Sequence, residues 1–144
     1  MSPYQFLEDI ATADVAFKAT GKTQEELFLS CADALVNVMV DDLASVQRKE
    51  SKVITVEADT EEMLLFRFLQ EFIFYKDANE LLLRAEKVTI TTEEKIFKLK
   101  AQVWGEKIEP QRHPMNVDVK AVTFHLFQLR KINNLWQAQV VLDI

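Results

Sequence analysis

The hydrophobic period of this chain changes near residue 80, and that change restricts the fold more than any other feature. Upstream, two stretches repeat every three or four residues, the spacing of one helix face. Leu27, Cys31, Leu35 and Val38 form the first stripe; Leu64, Leu65, Phe68, Leu69, Phe72 and Ile73 form a wider second one. Thr23 with Glu26, and Asp59 with Glu62, have the three-residue spacing of a capping box, whose side chains satisfy free backbone N–H groups. These signals predict helices over about 23–39 and 60–76.

Downstream the period falls to two. Phe97, Leu99, Ala101 and Val103 alternate with Lys98, Lys100 and Gln102, and Trp136, Ala138, Val140 and Leu142 alternate with Gln137, Gln139 and Asp143. Two antiparallel pairs are expected: 81–92 with 96–104 around Thr92-Glu93-Glu94-Lys95, and 117–130 with 135–144 around Lys131-Ile132-Asn133-Asn134. Earlier, 12–19 alternates and 53–56 is rich in β-branched residues, so both read as strand. The segment 105–116 holds two prolines and reads as a loop. The expected fold class is α+β, two helices packed on a largely antiparallel β-sheet, in a single domain over residues 1–144.

Charge and composition narrow the function. The net charge is −6, unevenly spread: residues 1–72 carry 6 basic and 14 acidic side chains, residues 73–144 carry 11 and 9. An acidic chain gains nothing from releasing counterions of a polyphosphate, which disfavours broad nucleic-acid binding but leaves room for a local basic face. Two glycines are too few for a phosphate-cradling loop. A single cysteine, Cys31, forms no intramolecular disulfide, and the N-terminus has no basic start followed by an apolar run. The most apolar stretch, 63–75, is broken by Arg67, Gln70 and Glu71 and is too short to span a bilayer. A cytoplasmic address, with no membrane partner, is the expectation.

Common catalytic constellations are absent: the chain has no Cys-x-x-Cys and no His-Glu-x-x-His. Cys31 lies on an apolar helix stripe, where a small buried side chain is expected rather than a nucleophile. His113 beside Arg112 reads as a surface-loop histidine and His125 as a hydrogen-bonded strand histidine, with a metal-ligand or base role as the alternative for each. Lys95, Lys98 and Lys100 read as a solvated edge or sheet face, with docking as the alternative. Asp14 and Asp143 stand out as carboxylates in β-rich segments, where aspartate is disfavoured. Thr12 precedes Asp14 and could orient it; Asp143 is followed only by Ile144, which adds a backbone carboxylate. Spacing leaves two readings open. The aspartates are solvated separately at strand ends, or first and last strands are neighbours and the oxygens converge on a hard cation.

Four blocks in order carry a resemblance that covers essentially the whole chain. Phe6-Leu7-Glu8-Asp9-Ile10-Ala11-Thr12-Ala13-Asp14-Val15-Ala16-Phe17 resembles the N-terminal motif of the archease family, centred on Thr-Ala-Asp and an aliphatic residue. Gly21-Lys22-Thr23-Gln24-Glu25-Glu26-Leu27-Phe28 is similar to that family's turn into its first helix. Val119-Lys120-Ala121-Val122-Thr123-Phe124-His125 is similar to its late signature, normally Val-Lys-Ala-Val-Thr-Tyr-His, and Ala138-Gln139-Val140-Val141-Leu142-Asp143-Ile144 to its ending. Two departures stand out. Ile10-Ala11 replace the residues that often include a histidine before Thr-Ala-Asp, leaving Asp9 one residue out of register, and Phe124 replaces the tyrosine.

The resemblance implies a divalent metal held by Asp14, Asp143 and the main-chain oxygen of Ile144, calcium first, with magnesium or manganese as alternatives. It further implies a partner, the GTP-dependent RNA-splicing ligase that joins ends bearing a 3′-phosphate or 2′,3′-cyclic phosphate. The expected role is that of a non-catalytic activator, promoting the ligase's guanylylation and multiple turnover in tRNA splicing and touching RNA only indirectly. Lys120 and His125, in the late motif, are second-rank candidates for contacting the nucleotide or the ligase. Two other functions compete: a small metal-dependent hydrolase using Asp14, Asp143 and His125, and a general chaperone or modulator of RNA-modifying enzymes.

Overall fold

The computed structural model describes residues 3–7 and 14–144. In chain order the elements are β1 (Tyr4–Leu7), β2 (Asp14–Gly21), α1 (Gln24–Met39), a 3-10 turn (Leu43–Ser45), β3 (Glu50–Ala58), α2 (Glu61–Asn79), β4 (Leu81–Glu93), β5 (Ile96–Lys107), β6 (Ala121–Ile132) and β7 (Leu135–Asp143). The fold is α+β, as the change of period requires. Every strand pair is antiparallel, but the strands form two sheets rather than one: β1-β2-β7-β6 and β3-β5-β4.

The helix starts show how local chemistry sets boundaries. Thr23 caps α1, its hydroxyl accepting the Glu26 N–H at 3.1 Å, while the Glu26 carboxylate accepts the Lys22 N–H at 2.9 Å. At α2 the cap is Thr60, which accepts from the Met63 N–H, and not Asp59, one residue earlier. α2 runs on to Asn79, and its C-cap Glu80 takes a left-handed backbone conformation, φ 54°, usually given to glycine. The β4–β5 and β6–β7 turns are two-residue turns with positive φ at both positions, Glu94-Lys95 and Asn133-Asn134. That is the backbone twist tight hairpins favour.

One core joins both sheets and both helices. α1 packs on β2 and β4, and α2 on β3, β4 and β6. Phe17, Phe28, Phe68, Leu64, Leu65 and Leu69 are completely buried there, and Phe28 and Phe68 stack with ring centroids 5.9 Å apart. Cys31 lies in this core, and burial pushes its thiol pKa far up, so it is an inert small side chain. Both glycines mark close approaches. A Cβ at Gly21 would sit 2.3 Å from the Leu27 nitrogen, and one at Gly105 would sit 1.8 Å from the Leu82 carbonyl oxygen. Gly105 therefore belongs to a strand interior, and β5 continues to Lys107 through what the prolines marked as loop.

Candidate functional site

β2 and β7, the first long strand and the last, are antiparallel neighbours, and their register sets Asp14 directly opposite Asp143. Directly opposite residues share a sheet face, with Cβ atoms about 4.5–5.5 Å apart. Asp14 is half-buried and Asp143 exposed. Ile144 follows at once, and its side chain packs against the core, which fixes the terminal residue beside Asp143. Thr12 and Asp9 lie outside the described residues.

The late motif comes to the same strand end through α2. Lys76, buried at 6% exposure, donates to Asp118 and to the Val119 carbonyl at 2.8 Å, and lies 2.9 Å from Asp77. Burial alone would lower its pKa, but the hydrogen bonds and charges of Asp118 and Asp77 outweigh that and raise it. Gln70 of α2 accepts the Val122 N–H at 2.6 Å. With 118–122 pinned in this way, the Lys120 N–H donates to the Asp143 carbonyl at 2.8 Å, and Ala121 pairs with Asp143. Asp143 is thus held between Asp14 on one side and the late motif on the other. The exposed Lys120 side chain starts from that junction.

His125 does not share it. The expected strand from Val117 begins only at Ala121, and after Thr123 it leaves the ladder. Residues 124–127 stand against the single residue Val140, an insertion that turns Leu126 to φ 53°. Phe124 and Phe127 are drawn onto Phe66 of α2, with centroids 4.1 and 6.0 Å away, and the Gln139 side chain donates to the Leu126 carbonyl at 3.0 Å. His125 is exposed in this bulge, beyond the Thr123–Val141 pair that separates it from the carboxylates.

His113 departs from expectation altogether. It is 1% exposed, and its Nε2 lies 3.0 Å from Glu106 Oε2, while its Nδ1 accepts the Glu109 N–H at 2.8 Å. The neutral ring with its proton on Nε2 satisfies both partners. Glu106, also 1% exposed, further accepts from Arg112 and from the Gln47 N–H. Sequence reading missed this knot because both residues were assigned to a solvated loop. A histidine next to an arginine, seven residues after a carboxylate, was its only signal.

The donor set at the β2–β7 end suits a hard cation. Asp14 and Asp143 are like charges across one ladder, an arrangement that destabilises a sheet when nothing neutralises it. Among the described residues neither forms a salt bridge. Carboxylate and main-chain oxygens are the ligands calcium and magnesium take. No cluster of three His, Cys, Asp or Glu side chains that could hold a metal ion occurs among the described residues.

The comparisons agree along the whole chain. The family model described as the Archease protein family matches residues 4–144. Protein archease of Pyrococcus abyssi is 38% identical over 134 residues, covering 92% of this chain and 94% of that protein. Protein archease of Methanosarcina mazei is 36% identical over 142 residues, covering 98% and 95%. The solution structure of Methanobacterium thermoautotrophicum protein 1598 superposes with a TM-score of 0.86 at 30% identity over all of both chains. A crystal structure of a Thermotoga maritima archease, described as a possible chaperone, shares the fold, with a TM-score of 0.62 at 20% identity over 93% of each chain. No helix among the described residues is long and apolar enough to cross a membrane. By the family model and by these relatives, the chain belongs to the archease family.

Proposed function

We propose that this chain activates a GTP-dependent RNA-splicing ligase, promoting its guanylylation and turnover, and that a divalent cation at Asp14, Asp143 and Ile144 serves that activation. The observation that carries the reading is the Asp14–Asp143 cross-strand pair, two like charges in register at a strand end. A cation there supplies charge stabilisation to phosphoryl oxygens. The chain's own residues hold and aim it: Asp14 and Asp143 from one face and Ile144 anchored by its side chain, while the Lys120 N–H fixes the Asp143 backbone. Lys120 is the nearer of the two candidates for a nucleotide or ligase contact, and His125 stands apart in the bulge. An activator needs no nucleophile of its own. The separation of His125 from the carboxylates supports activation over a hydrolase using Asp14, Asp143 and His125 together.

The test is ligase guanylylation at limiting amounts of this chain with controlled divalent ion. Asp143→Ala should still bind the ligase and fail to stimulate it, because the change removes a ligand and leaves the rest of the surface intact. Full stimulation by that variant would leave docking as the activating event. A chaperone reading has one observation in its favour, the apolar surface of Phe124 at 61% and Leu126 at 44% exposure. It predicts instead that unrelated aggregating clients are rescued, with or without metal.

A further inference from the structure

The face that carries Asp14 and Asp143 continues into a hollow of opposite character. Two rows beyond the small pair Ala16–Val141, the register sets Gln5, Lys18, Gln139 and Gln128 side by side across all four strands, followed by Thr20, Gln137 and Arg130. Lys18, Gln128, Arg130, Gln137 and Gln139 line a hollow of about 220 Å³. A liquid water occupies about 30 Å³, so the hollow has room for a phosphate group and part of its ester.

Among the described residues no carboxylate lines it, in a chain with 23 acidic residues and a net charge of −6. Among the described residues, neither Lys18 nor Arg130 forms a salt bridge, although other cations of the chain do. Arg130 instead donates to the Gln128 side-chain oxygen, and both residues line the hollow. Gln139 is fixed by its bond to the Leu126 carbonyl. Beyond these bonds the lining offers N–H donors in the Lys18 ammonium, the remaining guanidinium N–H groups and the Gln128 and Gln137 amides, with the side-chain oxygens of Gln137 and Gln139 as acceptors. A fork of guanidinium, an ammonium and amide donors complement phosphate oxygens. The acidic net charge does not cancel this, because at physiological ionic strength charges more than about 8 Å away are largely screened.

We infer that the Lys18–Arg130 hollow binds a phosphate group, either of a single-stranded RNA or of a nucleotide. It rests on the lining alone and does not require the ligase or the metal. Along β2, Lys18 lies four positions from Asp14, about 13 Å at ~3.3 Å per residue, which puts the hollow and the carboxylate pair on one sheet face.

Binding is measured without ligase and in EDTA, using a labelled ten-nucleotide RNA with a 3′-phosphate and, separately, GTP. The native chain should bind at least one, and Lys18→Ala with Arg130→Ala should weaken that binding about tenfold or more. With RNA, the double variant should also flatten the salt dependence, by about 0.7 in log–log slope per lost phosphate contact. Because both probes are read without ligase and in EDTA, a failure of the metal reading stays distinct from a failure here. RNA binding that excess GTP does not displace assigns the site to a strand; displacement assigns it to a nucleotide. Absence of binding to both probes, or equal binding by a folded double variant, overturns the inference.

Discussion

Asp14 of β2 and Asp143 of β7 face each other across one antiparallel ladder, although 128 positions separate them in the chain of 144 residues. Neither strand carries a lysine or arginine opposite them, so their repulsion is part of the folded state unless a cation joins it. Calcium or magnesium should therefore stabilise the native chain, by about 2.7 kcal/mol at a hundredfold excess over its dissociation constant. Asp143→Ala should show less than a third of that gain. Denaturant titrations in EDTA and in calcium check it, and an unchanged midpoint in the native chain would exclude binding at this pair.

The site should be separable from the fold. Asp14→Ala, read in EDTA, removes a charge at a strand end and should cost no more than about 1 kcal/mol. Leu69→Ala opens a cavity at a completely buried position of α2 and should cost about 2–5 kcal/mol. Calorimetry ranks the two. The reverse order would make the Asp14 carboxylate itself a structural element of the β2–β7 end.

What the sequence made legible was whatever depends on near neighbours. The Thr23–Glu26 cap, the stripes of both helices and the alternation of β7 all rest on residues within four positions of one another, and each appears where its spacing put it. That first and last strands are neighbours was legible only as one of two possibilities, and the register sets Asp14 opposite Asp143. What stayed hidden depended on distant partners. Glu106 and His113 look solvated until Arg112, the Gln47 N–H and the Glu109 N–H close around them. The bulge at 124–127 has no glycine or proline to announce it; it exists because Phe66 of α2 holds Phe124 and Phe127. The split into two sheets is likewise a matter of which strands meet, which no alternation of residues encodes.

The Glu106 knot should make stability pH-dependent in a defined window. Burial alone would raise the Glu106 pKa, but hydrogen bonds from Arg112, the Gln47 N–H and His113, with the Arg112 charge, outweigh it and bring the pKa from 4.5 down to about 2. A folded pKa below the unfolded one contributes stability that is fully present above pH 4.5 and is lost as pH falls toward 2. Glu106→Gln should be less stable at neutral pH by about 1.5–3 kcal/mol, the scale of hydrogen bonds to a charged group. The difference between native chain and variant should shrink through that window. A difference that stays constant from pH 6 to pH 3 would show that the carboxylate's charge contributes nothing to holding the 108–116 segment.

Lys120 and His125 sit in one sequence motif but in different structural settings, and that contrast is testable. The Lys120 N–H is bonded to the Asp143 carbonyl, and its exposed side chain starts at the carboxylate junction. His125 lies past the Thr123–Val141 pair in the bulge, where its neighbours Phe124 and Leu126 are exposed. If activation runs through the cation, a lysine at its edge adds charge toward phosphate oxygens, and losing it should reduce ligase stimulation by at least about tenfold, the equivalent of 1.4 kcal/mol. Lys120→Ala should leave folding intact, because the backbone bond to Asp143 survives and the side chain is exposed. His125→Ala should retain more than half of the stimulation and act, where it acts, on the affinity for the ligase rather than on the guanylylation rate. Guanylylation measured across ligase concentrations separates the two effects. A larger rate loss for His125→Ala than for Lys120→Ala would move the working end of the molecule from the Asp14–Asp143 ladder to the β6 bulge.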